Sequence, residues 1–156
     1  MIQKEILYME KLEGCVIKAM KLSMEAHANQ KDKAGESYFL HPVTVAMTLA
    51  KNGYSDECIA TALLHDVVED TPYTLEQLSE MGFSKNIITA LSLLTHKDDV
   101  PYMNYVKAAK SNPIARAVKM GDLLHNMDTS RLKEITDWDK QRLEKYQKAF
   151  ELLQAE

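Results

Sequence analysis

Apolar residues recur at helical spacing along almost the whole chain, and the alternation typical of strands is nearly absent. Residues 2–28 carry an apolar stripe that a helix would place on one side. Its members are Ile2, Ile6, Met9, Leu12, Val16, Ala19, Met20 and Ser23. The segment 29–40, NQKDKAGESYFL, interrupts this stripe with charged residues, Gly35 and Ser37, and is predicted to be a loop.

The next apolar stretches predict two consecutive helices. The first begins at His41-Pro42, because proline is accepted in the first turn of a helix, and ends at Asn52-Gly53. Its apolar side consists of Val45, Ala46, Leu49 and Ala50. The second helix runs from Asp56 to Val68 and has hardly any polar face, which is typical of a buried central helix. Pro72 ends it by restricting the residue before it.

The remainder of the chain predicts further helices, at 74–81, 84–95 and 101–110 and from Asn112-Pro113 onward. The helix that opens at Asn112-Pro113 is expected to point Ile114, Ala117, Val118 and Leu124 inward. A last helix at 139–154 is expected to bury Leu143, Tyr146, Phe150 and Leu153. No repeat or linker interrupts the pattern, so the sequence predicts one all-α domain over residues 1–156, a bundle of about seven to nine helices.

Composition and charge narrow the class of protein. Apolar residues make up 46% and charged residues 27%, the balance of a globular domain. The net charge of −4 gives no general attraction for nucleic acid or anionic membrane, so we expect neither as a partner. No apolar segment approaches the length of a membrane span, and two cysteines without a pairing pattern suit a reducing compartment, so a cytoplasmic location is expected.

The stretch ALLHDVVEDT, residues 62–71, joins the most apolar helix to four polar groups: His65, Asp66, Glu69 and Asp70. Burying an unpaired carboxylate costs several kcal/mol, so buried charges are normally paired or bound to a metal. On a continuous helix the four residues fall within an arc of about 140° and form one polar patch. The pattern therefore predicts a site at the end of the buried helix.

Two other places along the chain can contribute to this site. His41 starts the preceding predicted helix and is joined to the buried helix by a short turn. The string KMGDLLHNMDTSR, residues 119–131, places Asp122 and Asn126 four residues apart on one helical face. Three separate segments thus supply imidazole, carboxylate and amide groups.

Imidazoles combined with carboxylates suit manganese, iron or zinc better than magnesium or calcium, which prefer oxygen ligands. The predicted ligands are His41, His65, Asp66 and Asp122. Such a set leaves open positions for water and substrate, and the ion would activate the water and polarise a phosphoryl oxygen. Glu69 and Asp70 are then left to orient the attacking water and to move protons.

The spacing of His41, His65-Asp66 and Asp122 resembles the pattern of the HD-domain metal phosphohydrolases. The longer strings YFLHPVTVA, ALLHDVVEDT and KMGDLLHNM resemble the hydrolase domain of RelA/SpoT proteins and the stand-alone small alarmone hydrolases. The resemblance covers roughly residues 22 to 132, and the strings occur in the family's order. Single HD dipeptides carry no information, whereas this extended set is highly specific.

The resemblance implies an all-helical HD bundle and a manganese ion held by the four residues named above, with Glu69 and Asp70 as catalytic acids. The implied reaction removes pyrophosphate from the 3′ position of guanosine tetra- or pentaphosphate, a small-molecule nucleotide, in a free-standing hydrolase. Two alternatives stay open: a phosphatase acting on other nucleotides or on a phosphorylated dinucleotide cofactor, and a nucleotide-binding sensor without turnover. The sequence leaves the oligomeric state open.

The chain departs from the family where the substrate is expected to bind. Asp32 stands where the family carries an arginine that packs on the guanine base, and Leu123 and Asp128 replace two further arginines. The positions that match the family's substrate contacts are Lys33, Tyr38, Asn126 and Thr129. An aspartate repels phosphate and cannot stack on a purine as guanidinium does. We therefore expect metal chemistry with altered recognition of the nucleotide, and we expect Lys31, Lys119 and Arg131 to be solvated.

Overall fold

The computed structural model describes residues 14–130 and 132–156. Over these ranges the chain forms nine helices and no β-strand, apart from an isolated antiparallel bridge between Lys31 and Ser37. The helices are α1 (Cys15–Ala26), α2 (Leu40–Lys51), α3 (Asp56–Leu64), α4 (Val67–Asp70), α5 (Leu75–Glu80), α6 (Lys85–Leu94), α7 (Tyr102–Lys110), α8 (Pro113–Asn126) and α9 (Asp137–Gln154). The all-α prediction is confirmed. The predicted apolar positions Ile2, Ile6, Met9 and Leu12 lie outside the described residues.

Helix boundaries follow the capping residues. The side chain of Ser55 accepts a hydrogen bond from the backbone N–H of Cys58 at the start of α3. Asn112 accepts two such bonds at the start of α8, where Pro113 occupies the first turn. Thr136 forms a capping box with Asp139, so α9 begins at Asp137, two residues before the predicted start.

The predicted helix 56–68 is interrupted at His65-Asp66, and this part of the prediction is wrong. In an unbroken helix the carbonyl of Ala62 accepts the N–H of Asp66. Here that carbonyl lies 2.6 Å from His65 Nδ1, so the histidine side chain takes the place of the next backbone donor. The chain then forms a separate short helix, α4, which ends before Pro72 as predicted.

Helices α3 and α8 are the centre of the bundle. Helix α3 packs against α1, α2, α6 and α8, and its Leu63 and Leu64 are completely buried. Helix α8 contacts α2 closely at Gly121, where an added Cβ would lie 3.1 Å from a methyl carbon of Val45. Since α2 carries His41 and α8 carries Asp122, this close approach brings two segments of the predicted site together.

A smaller apolar cluster joins α7, α8 and α9 around Tyr105, Val106, Leu123, Ala149 and Leu153. The sequence prediction placed Leu124 in the core, but Leu124 is 49% exposed and Leu123 is fully buried. The other predicted inward positions of α8 are confirmed, since Ala117 and Val118 are buried and Ile114 is partly buried, so only the last predicted position is wrong. Of the residues predicted to be buried in α9, Leu153 is buried, and Leu143, Tyr146 and Phe150 are partly buried. Within the described ranges, no helix is long and apolar enough to cross a membrane.

Candidate functional site

The four predicted metal ligands meet where α2, α8 and the turn after α3 come together. Ligand atoms of His41, His65 and Asp66 all lie within 4.8 Å of one another. His65 Nε2 is 3.1 Å from Asp66 Oδ2, and His41 Nε2 is 3.7 Å from the same oxygen. Asp122 Oδ1 lies 2.9 Å from His41 Nε2 and 3.4 Å from His65 Nε2. The structure thus brings together three segments that are distant in sequence.

Both histidines present Nε2 to this cluster because Nδ1 has another partner. His65 Nδ1 lies 2.6 Å from the carbonyl of Ala62, which only accepts, so Nδ1 carries the proton. His41 Nδ1 lies 2.6 Å from Nδ1 of His125, and the two rings are stacked with centroids 4.9 Å apart. His65 Nε2 is buried and faces the carboxylate oxygens of Asp66 and Asp122.

The two carboxylates are held by neighbouring side chains. The hydroxyl of Tyr38 donates to Asp66 Oδ2 over 2.6 Å. Asn126 donates its amide to Asp122 Oδ1 over 2.9 Å, and Lys119 Nζ donates to Asp122 Oδ2 over 2.8 Å. Lys119 is only 9% exposed, so the prediction that it is solvated is wrong.

Charge in the cluster is balanced by close pairing. Burial lowers the pKa of His65, but the Asp66 and Asp122 carboxylates reverse the effect and hold that pKa well above its usual range. Burial raises the pKa of Asp122, but Lys119 and the histidines hold it well below the usual range. Burial likewise raises the pKa of Asp66, and His65 reverses the effect, so its net pKa is lowered. A cation entering the cluster would therefore meet ionised carboxylates and compete with a proton on His65.

Glu69 and Asp70 lie at the edge of the cluster, on α4. Carboxylate oxygens of Asp66, Glu69 and Asp70 lie within 4.8 Å of one another. Glu69 Oε1 accepts the backbone N–H of His96 over 2.8 Å, and Gln30 donates to the carbonyl of Asp70 over 2.9 Å. Burial, together with the charge on Asp66, raises the pKa of both Glu69 and Asp70, so both hold a proton to higher pH than an ordinary carboxyl group does.

A cavity of 160 Å³ opens beside His125 and Asn126, next to the cluster. The side chains that line it are those of Asp32, Lys33, Ala34, His125, Asn126, Asp128, Leu132 and Arg142. Lys33 Nζ lies 3.2 Å from the centre of the Trp138 ring, and the guanidinium carbon of Arg142 lies 4.5 Å from it. Burial and the charge of Arg142 lower the pKa of Lys33. We call this cavity the α8–α9 pocket.

The predicted substrate-binding residues divide into three groups. Asp32, Lys33 and Asn126 line the α8–α9 pocket, Tyr38 contacts Asp66 instead, and Thr129 does not line the pocket. Asp32 also shapes its own loop, because its Oδ1 accepts the backbone N–H groups of Ala34 and Glu36, each over 2.9 Å.

Sequence reasoning missed the contribution of three residues to this region: Lys119, Trp138 and Arg142. The sequence does contain a signal for Lys119, because it precedes Asp122 by three residues, the spacing of neighbours on one helical face. Arg142 lies on a separate helix beyond a loop, and no local pattern connects it with Asn126.

The cluster fits a divalent ion by the chemistry of its donors. Two imidazole nitrogens and two carboxylates are of the types that bind first-row metals. The buried Nε2 of His65, which faces two carboxylates at 3.1 Å and 3.4 Å, is the further indication. Each ligand also has the outer partner usual for metal ligands: Ala62 for His65, His125 for His41, Tyr38 for Asp66, and Lys119 with Asn126 for Asp122.

Comparison with known proteins shows the family to which this chain belongs. A family profile for the HD domain matches residues 19–150, so the chain belongs to the HD-domain family. An HD domain implies a divalent metal, and the cluster described above is a possible site for it. The chain is 33% identical over 120 residues to a guanosine-3′,5′-bis(diphosphate) 3′-pyrophosphohydrolase of Aquifex aeolicus, a match that covers 72% of this chain and 17% of that protein.

Two further similarities complete the comparison. A probable GTP pyrophosphokinase of Mycobacterium leprae is 36% identical over 124 residues, covering 74% of this chain and 16% of that protein. The chain thus spans about a sixth of the length of these curated relatives. A solved structure, described as a metazoan orthologue of SpoT that hydrolyses ppGpp, superimposes with a TM-score of 0.73 at 19% identity, over 92% of this chain and 87% of that one. This similarity confirms the predicted HD-type helical fold.

Proposed function

We propose that this chain is a metal-dependent hydrolase that removes the 3′-pyrophosphate of guanosine tetra- or pentaphosphate. The observation that carries the proposal is the convergence of His41, His65 and Asp66 within 4.8 Å, with the buried Nε2 of His65 facing the Asp66 and Asp122 carboxylates. The names of the relatives support the substrate class, since they include a pyrophosphohydrolase for this nucleotide.

His41, His65, Asp66 and Asp122 would hold the ion, with manganese as the proposed metal. When bound, it would lower the pKa of a water molecule and polarise a phosphoryl oxygen. The chain fixes the donors in advance: Ala62 sets the tautomer of His65, and Tyr38 orients Asp66. Little reorganisation is then needed when substrate arrives.

Glu69 and Asp70 supply the proton transfers in this proposal. Burial raises the pKa of each carboxyl group and so moves it toward neutral pH. Acid–base catalysis is most efficient when the pKa of the group lies near the operating pH. Glu69 is oriented by the N–H of His96, which leaves its other oxygen to contact a water molecule. Replacing Glu69 by Gln should lower kcat by about 10²–10⁴-fold, the usual contribution of such a group.

The α8–α9 pocket would take the part of the nucleotide remote from the reaction. It adjoins the metal cluster through Asn126, which both lines the pocket and donates to Asp122. Lys33 and Arg142 bring two positive charges to its wall, beside the carboxylates of Asp32 and Asp128, and either cation could contact a phosphate group directly. Arg142 thereby supplies a guanidinium in a pocket where the family arginine at position 32 is replaced by Asp32.

The test is a substrate panel with metal-stripped and manganese-loaded protein, scoring released pyrophosphate separately from orthophosphate. Release of pyrophosphate from guanosine tetraphosphate, dependent on manganese, is the expected result. Release of orthophosphate from other nucleotides or from a phosphorylated dinucleotide cofactor would replace the proposal by the phosphatase alternative. Tight nucleotide binding without product over hours would indicate a sensor instead.

A further inference from the structure

Lys119 is a buried cation that the proposed chemistry does not use, although it touches the proposed site. Its side chain is nine-tenths buried, and Nζ lies 2.8 Å from Asp122 Oδ2. The rings of Tyr105 and Tyr102 lie beneath it, with centroids 5.2 Å and 5.9 Å from Nζ. An ammonium group is costly to bury without partners, so this position needs an explanation beyond packing.

The two oxygens of Asp122 have separate partners. Oδ1 faces the imidazoles of His41 and His65 and accepts the amide of Asn126. Oδ2 points the other way and accepts from Lys119. A carboxylate that was free to rotate could turn both oxygens toward the histidines, and Lys119 prevents this by holding one of them.

We propose that Lys119 is a positioning residue that restricts Asp122 to offering one oxygen to the metal, and so preserves an open coordination position for water or substrate. The inference rests on the proposed function for the identity of the metal ligands. The inference itself concerns how many oxygen atoms Asp122 offers to the metal, and this number can be measured without substrate. Catalytic metal sites keep such an open position, whereas structural sites are closed.

The decisive variant is Lys119→Met, which keeps a similar length and removes the donor. With Co²⁺ as the probe, the visible absorption per bound ion should weaken by about twofold or more, because a carboxylate with two free oxygens raises the coordination number. Mn²⁺ should bind at least as tightly as in the wild type, since a neighbouring positive charge is lost. The kcat should fall tenfold or more with little change in KM.

Lys107→Met is the matched control, because it makes the same substitution at an exposed lysine of α7. It should leave the Co²⁺ spectrum unchanged. Lys119→Arg, which keeps charge and donor, should restore the spectrum of the wild type. A Lys119→Met protein with an unchanged Co²⁺ spectrum, or with weakened Mn²⁺ binding in proportion to its lost stability, would overturn the proposal.

A measurement on the unmodified protein covers the case in which the variants do not fold. The side-chain ammonium of Lys119 should give a slowly exchanging ¹⁵N signal that persists when Zn²⁺ is added. Release of that signal by Zn²⁺ would show that Asp122 turns both oxygens to the ion, and would overturn the proposal. If metal binding behaves as expected but no nucleotide is hydrolysed, the proposed function fails while this inference stands.

Discussion

At the scale of single residues, each group of the proposed metal site has its orientation set by one or two neighbours. His65 illustrates this most directly, because the bond from its Nδ1 to the Ala62 carbonyl both ends α3 and turns Nε2 toward Asp66 and Asp122. The same contact therefore determines a helix boundary and a side-chain tautomer. Substitutions of the neighbouring groups should change metal binding without direct contact with the ion.

Tyr38→Phe tests this for Asp66. Loss of the 2.6 Å hydrogen bond to Asp66 Oδ2 should weaken Mn²⁺ binding or turnover by about 10–100-fold, the usual effect of removing an outer partner of a ligand. Calorimetric titration of the metal-free protein measures it. Tyr73→Phe is the control, because it removes an exposed hydroxyl that donates to Glu25 and to none of the proposed ligands, and it should leave binding unchanged. Equal binding by Tyr38→Phe and wild type would contradict the assignment.

Asp32 has two roles that different substitutions separate. Asp32→Asn keeps an oxygen for the N–H groups of Ala34 and Glu36 but removes the negative charge, so it should lower KM for guanosine tetraphosphate about tenfold. Asp32→Ala loses the loop bonds as well and should bind substrate no better than wild type. Steady-state kinetics distinguishes them. If the wild type hydrolyses this nucleotide efficiently and neither Asp32→Asn nor Asp32→Arg improves KM, altered recognition through Asp32 is wrong.

At the scale of elements, the sequence predicted where the helices begin and end better than which residues of each helix are buried. Caps and prolines are local signals, and they located α2, α8 and the end of α4 to within a residue or two. The break at His65-Asp66 was missed because it depends on a side-chain-to-backbone bond. Leu123 and Leu124 are indistinguishable by composition, and only the packing of α9 determines which is buried.

The residues of the candidate site likewise fall into those that the sequence could predict and those that it could not. His41, His65, Asp66 and Asp122 carry specific spacings, and their convergence could be predicted; their roles as ligands stay a prediction. Arg142 and Trp138 come from α9, whose approach to the pocket depends on tertiary packing. No pattern within the sequence connects α9 with the loop that carries Lys33.

Helix α9 should contribute to substrate binding and not to chemistry. Arg142→Ala should raise KM for the nucleotide about tenfold or more with kcat nearly unchanged, because a charge-assisted contact to phosphate is worth roughly 1.5–3 kcal/mol. Lys140→Ala, an exposed change of the same charge on the same helix, is the control. A fall in kcat without a change in KM would place Arg142 in the reaction itself.

Trp138 is the sole tryptophan of the chain, so its fluorescence reports on this pocket without background. Its ring is 53% exposed and has Lys33 and Arg142 within cation–π distance. Nucleotide binding should displace one of these cations or water and change the emission. Titration of the metal-free protein, in which turnover is absent, should give a saturable change; an unchanged spectrum at saturating nucleotide would place the substrate elsewhere.

At the scale of the whole molecule, the proposed ion would link three parts of the bundle: α2, the α3–α4 turn and α8. That arrangement concentrates negative charge where apolar helices meet, and binding of a cation should therefore stabilise the folded state. The prediction of a single domain over residues 1–156 stays a prediction.

Metal removal should lower thermal stability measurably. Mn²⁺ at one hundred times its dissociation constant contributes about 2.7 kcal/mol, which corresponds to roughly 5–10 °C in Tm for a chain of this size. Differential scanning calorimetry with and without a chelator measures this. Asp122→Asn should abolish most of the shift, and Mg²⁺ at the same concentration should reproduce little of it. Identical melting curves with and without chelator would argue against a resident ion.

Leu123 also restricts which positions near the pocket can accept a charged residue. It lies wholly within the small apolar cluster that packs α9 against α8, and α9 in turn carries Arg142 into the pocket. An arginine at position 123 would bury a guanidinium among Tyr105, Val106 and Leu153, and an unpaired buried charge is strongly destabilising. A change of charge in this region is therefore expected to cost less stability at the pocket wall, at positions 32, 128 and 142, than at position 123.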